Sequence, residues 1–162
     1  MRTEMVVKTE IGLLEKDRQE VARILRAILA DEYVLYTKTR NFHWNVTGPN
    51  FSELHSLFER QYEALNETVD SVAERIRALG EASSGSLAEF LKETRLPEAM
   101  GQALSSQEML SALLEDHETI IRTLRKELSV CLDRHHDAGT SDFLTGLMED
   151  HEKTAWMLRS YL

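Results

Sequence analysis

Apolar residues recur along this chain at steps of three and four. Leu14, Val21, Leu25, Ile28 and Leu35 form the first such stripe, which predicts a helix from about Ile11 toward His43, ended by Gly48-Pro49. A second helix is predicted to open at Asn50-Phe51-Ser52-Glu53, with Asn50 as cap and Glu53 reaching back to it, and to close at Gly80. Its core face is Leu54, Phe58, Leu65, Val69, Val72, Ile76 and Leu79, which lie within about 80° of one another at about 100° per residue. Glu81 to Ser86 reads as a polar loop, and Leu87 to Lys92 leaves room only for a short helix before Pro97 and Gly101. Ser105-Ser106-Gln107-Glu108 is a second capping box. From it Leu110, Leu113, Leu114, Ile121, Leu124, Leu128 and Cys131 carry a third long helix toward Gly139. Thr140 or Ser141 starts the fourth, whose stripe is Leu144, Leu147, Met148, Ala155, Leu158 and Leu162, flanked by Trp156.

These elements add up to an all-α chain, a four-helix bundle with a short extra helix in the long connection between helices two and three. One domain over residues 1–162 is expected, with 1–9 as a short N-terminal extension. Only 2 Pro and 7 Gly in 162 residues agree with long uninterrupted helices. Helices three and four also share a local echo, Leu114-Glu115-Asp116-His117-Glu118 against Met148-Glu149-Asp150-His151-Glu152. A single echo does not make a solenoid; it marks two helices with the same task in one bundle.

Composition narrows the setting. The lone Cys131 cannot build a disulfide framework, and Met1 to Lys8 lacks a basic segment followed by an apolar one, so a reducing cytoplasm is expected. No stretch approaches the roughly 18 apolar residues of a membrane span, because even Ile24 to Tyr36 is broken by Arg26, Asp31 and Glu32. With 28 acidic against 19 basic residues, the formal charge of −9 argues against a nucleic-acid groove. A basic tail could override that charge, but Arg2, Lys8, Lys16 and Arg18 are outnumbered in their own segment by Glu4, Glu10, Glu15, Asp17 and Glu20.

The usual metal centre inside such a bundle takes a Glu from each of two helices and a Glu-x-x-His from each of the others. This chain has no Glu-x-x-His. The second helix offers another arrangement. Measured from His55, Glu59 lies at about 40°, Asp70 at about 60° and Glu74 at about 100°, so the four share a stripe roughly 130° from the apolar one. His55 and Asp70 are nevertheless about 22 Å apart along the axis, and one chain cannot close a site around them. The midpoint between positions 55 and 74 falls between Ala64 and Leu65, and so does the midpoint between 59 and 70. An isologous antiparallel contact there sets His55 of one copy beside Glu74 of the other, and Glu59 beside Asp70. Two mixed His and carboxylate sites per pair follow. His43 can add an imidazole if the first two helices are antiparallel neighbours, and such a ligand set suits Fe(II) or Zn, with Mn possible. Paired charges four residues apart are also what an ordinary solvated helix face carries.

His43-Trp44-Asn45, Gly48-Pro49-Asn50-Phe51, His55 and Asp70-Ser71-Val72-Ala73-Glu74-Arg75 together resemble the signature of the Dps family, the mini-ferritins. The resemblance extends to helix order, the short middle helix and total length. It implies a hollow shell of twelve four-helix subunits with a ferroxidase centre at each two-fold interface. There two iron ions are bound by His43 and His55 of one subunit and Asp70 and Glu74 of its partner, while Glu59 stands where many members have Asp. The implied activity is oxidation of Fe(II), with hydrogen peroxide preferred to oxygen, and storage of the ferric product as a mineral. Trp44 and Trp156 are candidates for quenching stray oxidising equivalents, or are simply structural aromatics. Asp133, Asp137 and Asp142 flank the turn where members place acidic iron-entry pores; an acidic turn complementing a helix N-terminus is the alternative. Glu63 and Glu67 are candidate mineral-nucleating carboxylates.

Two further histidine groups lie outside that set. His117 and His151 interrupt apolar stripes and read as hydrogen-bonded core histidines, whereas His135 and His136 are expected to be exposed. In many members DNA compaction depends on a basic extension. Here no direct DNA binding is expected, and protection would be chemical. Two competing readings remain: a non-catalytic helical assembly with a structural metal at the two-fold interface, and a nucleoid-binding protein.

Overall fold

The computed structural model describes residues 8–101 and 103–162; most of the expected N-terminal extension, residues 1–7, lies outside them. The described residues form five helices: α1 Glu15–Asn45, α2 Phe51–Ala78, α3 Leu87–Glu93, α4 Ser106–His135 and α5 Ala138–Arg159. No strand occurs among the described residues. Helix α1 packs along α2 and α4 along α5, while α1 also meets α4 and α3. The short loops after α1 and α4 make each pair an antiparallel hairpin, as brief helix–helix connections require. One core runs the length of the bundle, with Leu25, Leu35, Phe42, Phe58, Ile76, Leu113, Leu124 and Leu158 all buried.

Helix ends follow local chemistry, and here several expectations are corrected. Helix α1 begins at Glu15 rather than near Ile11, and Leu14, counted in the core stripe, is 63% exposed at the N-cap. Asn50 is the N-cap of α2, but its side chain accepts no capping hydrogen bond, because its φ of −98° and ψ of 21° depart from the extended backbone a capping side chain needs. Glu53, expected to close that capping box, instead accepts a 2.6 Å hydrogen bond from the Tyr161 hydroxyl. The boxes at Ser86/Glu89 and Ser105/Glu108 are complete, and the amides and hydroxyls they offer hold both glutamates below the usual carboxylate range. At the end of α2, Gly80 has φ +86°, and a Cβ there would come 2.3 Å from Thr9 Oγ1. Glycine is required on both counts.

The α4–α5 turn is tighter than the sequence indicates. Helix α4 ends at His135, with His136 in the left-handed region at φ 55°, and α5 begins at Ala138. Gly139, read as the break between the two helices, lies in the first turn of α5 because Asp137 caps that helix by accepting from the Thr140 amide at 2.9 Å. Arg75 of α2 reaches the same turn, donating to Asp137 Oδ1 at 3.1 Å and Thr140 Oγ1 at 3.0 Å. The Arg of the Asp70–Arg75 motif therefore ties the C-terminal half of α2 to the start of α5. His135, expected in solvent, is partly buried with Nδ1 3.0 Å from Asp17 Oδ1. Leu162, assigned to the core stripe of α5, is exposed.

Candidate metal half-site

The end of α1 and the first turns of α2 bring His43 and His55 together. Their rings stack with centroids 3.8 Å apart and 19° between planes. His43 Nδ1 donates to the His55 carbonyl at 2.8 Å, and His55 Nδ1 donates to the His43 carbonyl at 2.8 Å. A carbonyl oxygen only accepts, so each Nδ1 carries the proton and each neutral ring keeps its lone pair on Nε2. This is the outer-partner arrangement that fixes tautomer and ring direction in metal-binding histidines. Phe51 stacks on the far face of His55 at 5.1 Å, and the Tyr62 ring stands edge-on to His43 at 5.2 Å. His43 is buried and His55 half-buried.

The carboxylates of the predicted set all lie on α2 and do not converge on the histidines within one chain. Glu59 is half-buried, and Asp70 and Glu74 are exposed farther along the helix. No three His, Cys, Asp or Glu side chains among the described residues stand close enough to enclose a metal ion. Within one chain the arrangement is two imidazoles anchored through Nδ1 near the start of α2 and two exposed carboxylates farther along it.

Around the histidines lies a cluster that pattern reading did not single out. The Arg40 guanidinium sits 5.1 Å from the ring centroids of both Trp44 and Tyr62 and 5.6 Å from that of Tyr36. Burial, with Glu59 and Glu63 nearby, raises the Tyr62 hydroxyl above its ordinary value. Trp44 is 64% exposed despite that contact, and Trp156 is also exposed. Of the three acids proposed for a pore, Asp133 and Asp142 are exposed, but Asp137 is not free to act there. It is buried, with Oδ1 and Oδ2 held by the Thr140 amide and hydroxyl and by Arg75. Asp137 instead caps the N-terminus of α5. Glu63 and Glu67 are exposed on α2.

The sequence reading also missed the polar core. Asp31 accepts from Thr94 Oγ1, the Arg95 amide and Arg95 Nε, at 2.6 to 2.9 Å, and so pins the segment after α3 to α1. Lys38 and Asp116 form a buried ion pair at 2.5 Å. Asp31 and Glu32 were visible as interruptions of the apolar run in helix one, which was the available signal. His117 and His151 are buried and hydrogen-bonded to each other, as expected of core histidines. Burial lifts the Cys131 thiol to about 12, so no thiolate chemistry arises there.

Comparison with known proteins settles the family. The Ferritin family, described as a ferritin-like domain, matches residues 22–162. The DNA protection during starvation protein of Brevibacillus brevis is 37% identical over 145 residues, covering 90% of this chain and 96% of that protein. The chain belongs to the Dps family. The low temperature-induced protein all0458 of Nostoc sp. is 46% identical over 155 residues, covering 96% of this chain and 87% of its own length. A Dps crystal structure from Vibrio cholerae, described as a member of a broad superfamily of ferritin-like diiron-carboxylate proteins, superimposes with a TM-score of 0.88 at 30% identity, over 93% of this chain and 94% of that one. With the family come its ferritin-like all-α fold and its place among iron-storage proteins. No helix of the described residues is long and apolar enough to cross a membrane.

Proposed function

We propose that this Dps-family chain is a ferroxidase that oxidises Fe(II), with hydrogen peroxide preferred to oxygen, and stores the ferric product inside a twelve-subunit shell in the cytoplasm. The observation that carries the reading is the His43/His55 pair, whose Nδ1 protons are tied to backbone carbonyls so that both Nε2 lone pairs are free for metal. In the antiparallel contact centred between Ala64 and Leu65, His43 and His55 of one subunit face Asp70 and Glu74 of the partner subunit. Glu59 lies between them on the stripe and is the further carboxylate for a second iron.

The ligand types suit the substrate. Imidazole binds Fe(II), and carboxylate stabilises the added charge of Fe(III). Two Fe(II) ions held together supply both electrons that reduction of one peroxide to water requires, which avoids the one-electron step that releases hydroxyl radical. Trp44, with Arg40 against its ring, and Trp156 are auxiliary groups for stray oxidising equivalents. Asp133 and Asp142 are the remaining acids for drawing Fe(II) inward, while Zn or Mn would occupy the site as substitutes. A shell built from chains of charge −9 repels phosphate, so protection is chemical and direct DNA binding is not part of the function.

The test is rapid-mixing absorbance on anaerobically Fe(II)-loaded protein, against peroxide and separately against oxygen, with particle size measured by light scattering. Fast ferric formation with peroxide, slower formation with oxygen and a twelve-subunit particle are expected. Oxidation no faster than that of free Fe(II) would return the stripe to a structural-metal role.

A further inference from the structure

The echo between α4 and α5 sets His117 and His151 side by side in the bundle core, their rings tilted 51° to one another. Their Nδ1 atoms are 2.8 Å apart, and the rings are 2% and 4% exposed. His151 Nε2 donates to Glu32 Oε1 of α1 at 2.9 Å. Gln61 of α2 lines, together with both histidines, a cavity of about 660 Å³ between α2 and α5. Each of the four long helices thus contributes one side chain of metal-ligand or ligand-orienting type to this region.

The local balance is incomplete as it stands. Glu32 Oε2, both amide atoms of Gln61 and His117 Nε2 are buried without a hydrogen-bond partner among the described residues. Each such atom forgoes the hydrogen bond it makes to water in the unfolded chain. Glu32 is 0% exposed, and no Lys or Arg among the described residues pairs with it. The neighbouring Asp116 is already matched by Lys38 and adds no free charge. A fully buried carboxylate in that condition calls for a cation.

We propose that His117 and His151 hold one divalent transition-metal ion between their Nδ1 atoms, within a single subunit and independently of the two-fold interface. Metal–nitrogen bonds of about 2.0–2.1 Å in a tetrahedral site place two donors about 3.3 Å apart, so the rings need to separate by only about 0.5 Å. No proton leaves. In the metal-free pair one Nδ1–H donates to the other ring; with His151 Nε2–H on Glu32, that donor is His117. On binding, the His117 proton moves from Nδ1 to Nε2 and both rings stay neutral. Glu32 remains the outer partner that orients His151, and its charge gains a counter-ion. The Gln61 amide oxygen and water in the cavity complete the coordination. A nitrogen-led set of this kind selects Fe(II), Co(II) or Zn(II) over Mg(II).

Co(II) is the probe, added anaerobically to the full-length H55Q/D70A/E74A variant, which removes three of the five interface ligands and leaves the core pair untouched. One Co(II) per chain is expected after gel filtration, with visible ligand-field bands, and excess Mg(II) should not displace it. H117Q in the same background should lose that ion. Absence of bound Co(II) in the first variant, or undiminished binding after H117Q, overturns the proposal. If H117Q fails to fold, the paramagnetically shifted imidazole N–H resonances of the parent variant decide the matter: two coordinated rings are expected, and none or one refutes it. The outcome is separate from the interface reading, which stands on the oxidation kinetics of the unaltered protein.

Discussion

Two histidine pairs in this chain are built from the same residue type on antiparallel helices, yet they are prepared for different tasks. At the α1–α2 end, His43 and His55 bond each other's backbone through Nδ1, which leaves both Nε2 atoms free. In the core, His117 and His151 bond each other's rings, and the outer partner of His151 is a buried carboxylate. The first pair is complete in direction and lacks carboxylate; the second has its carboxylate and lacks charge balance. What a histidine pair can bind is therefore set by which ring nitrogen its second partner occupies, and that partner is visible only in three dimensions.

The largest effect should come from cutting the first pair off from its carboxylates. In D70A/E74A, rapid ferric formation with peroxide is expected to fall roughly 10³-fold, equivalent to about 4 kcal/mol of barrier. Far-UV circular dichroism should be unchanged, because both residues are exposed and contribute nothing to the core. Unchanged kinetics would remove these residues from the site.

The next largest effect tests how the core tolerates charge. In K38M, Asp116 is left buried and unpaired beside His117, and loss of about 3 kcal/mol in urea unfolding is expected. Burial already pushes the Asp116 carboxyl up, with Lys38 opposing it. Replacing both partners, as K38M/D116L, should recover most of that loss. If K38M alone is neutral, the pair is not the closed unit that leaves Glu32 as the unbalanced carboxylate.

Periodicity reached the five helices because the apolar stripes are long and regular, and Gly80 marked the close of α2 through its positive φ. Helix starts were harder to read. Whether Asn50 caps depends on its own backbone angles, and α5 starts at Ala138 rather than at Thr140 or Ser141, with its cap Asp137 also bonded by Arg75 from 62 residues away. The α2 stripe and its shared midpoint were legible, since helix geometry alone fixes them. The reciprocal carbonyl bonds of His43 and His55 were not, because they depend on how two helices meet. Asp31 and Glu32 showed in the sequence as interruptions of an apolar run, but nothing local named Arg95 and His151 as their partners.

The smallest effect separates the pairs by pH, measured on metal-free protein with chelator present. Burial, reinforced by His151, holds the His117 imidazole well below its ordinary value. Below about pH 6.5 the unfolded chain therefore binds a proton at this residue that the folded chain does not. Stability then rises with pH in that range, and acidification costs about 1.4 kcal/mol per pH unit until the folded ring itself titrates. Replacing the ring in H117Q should remove this share of the slope, whereas H55Q should retain it. A slope that is the same in wild type and H117Q would mean that the core pair takes up its proton without penalty.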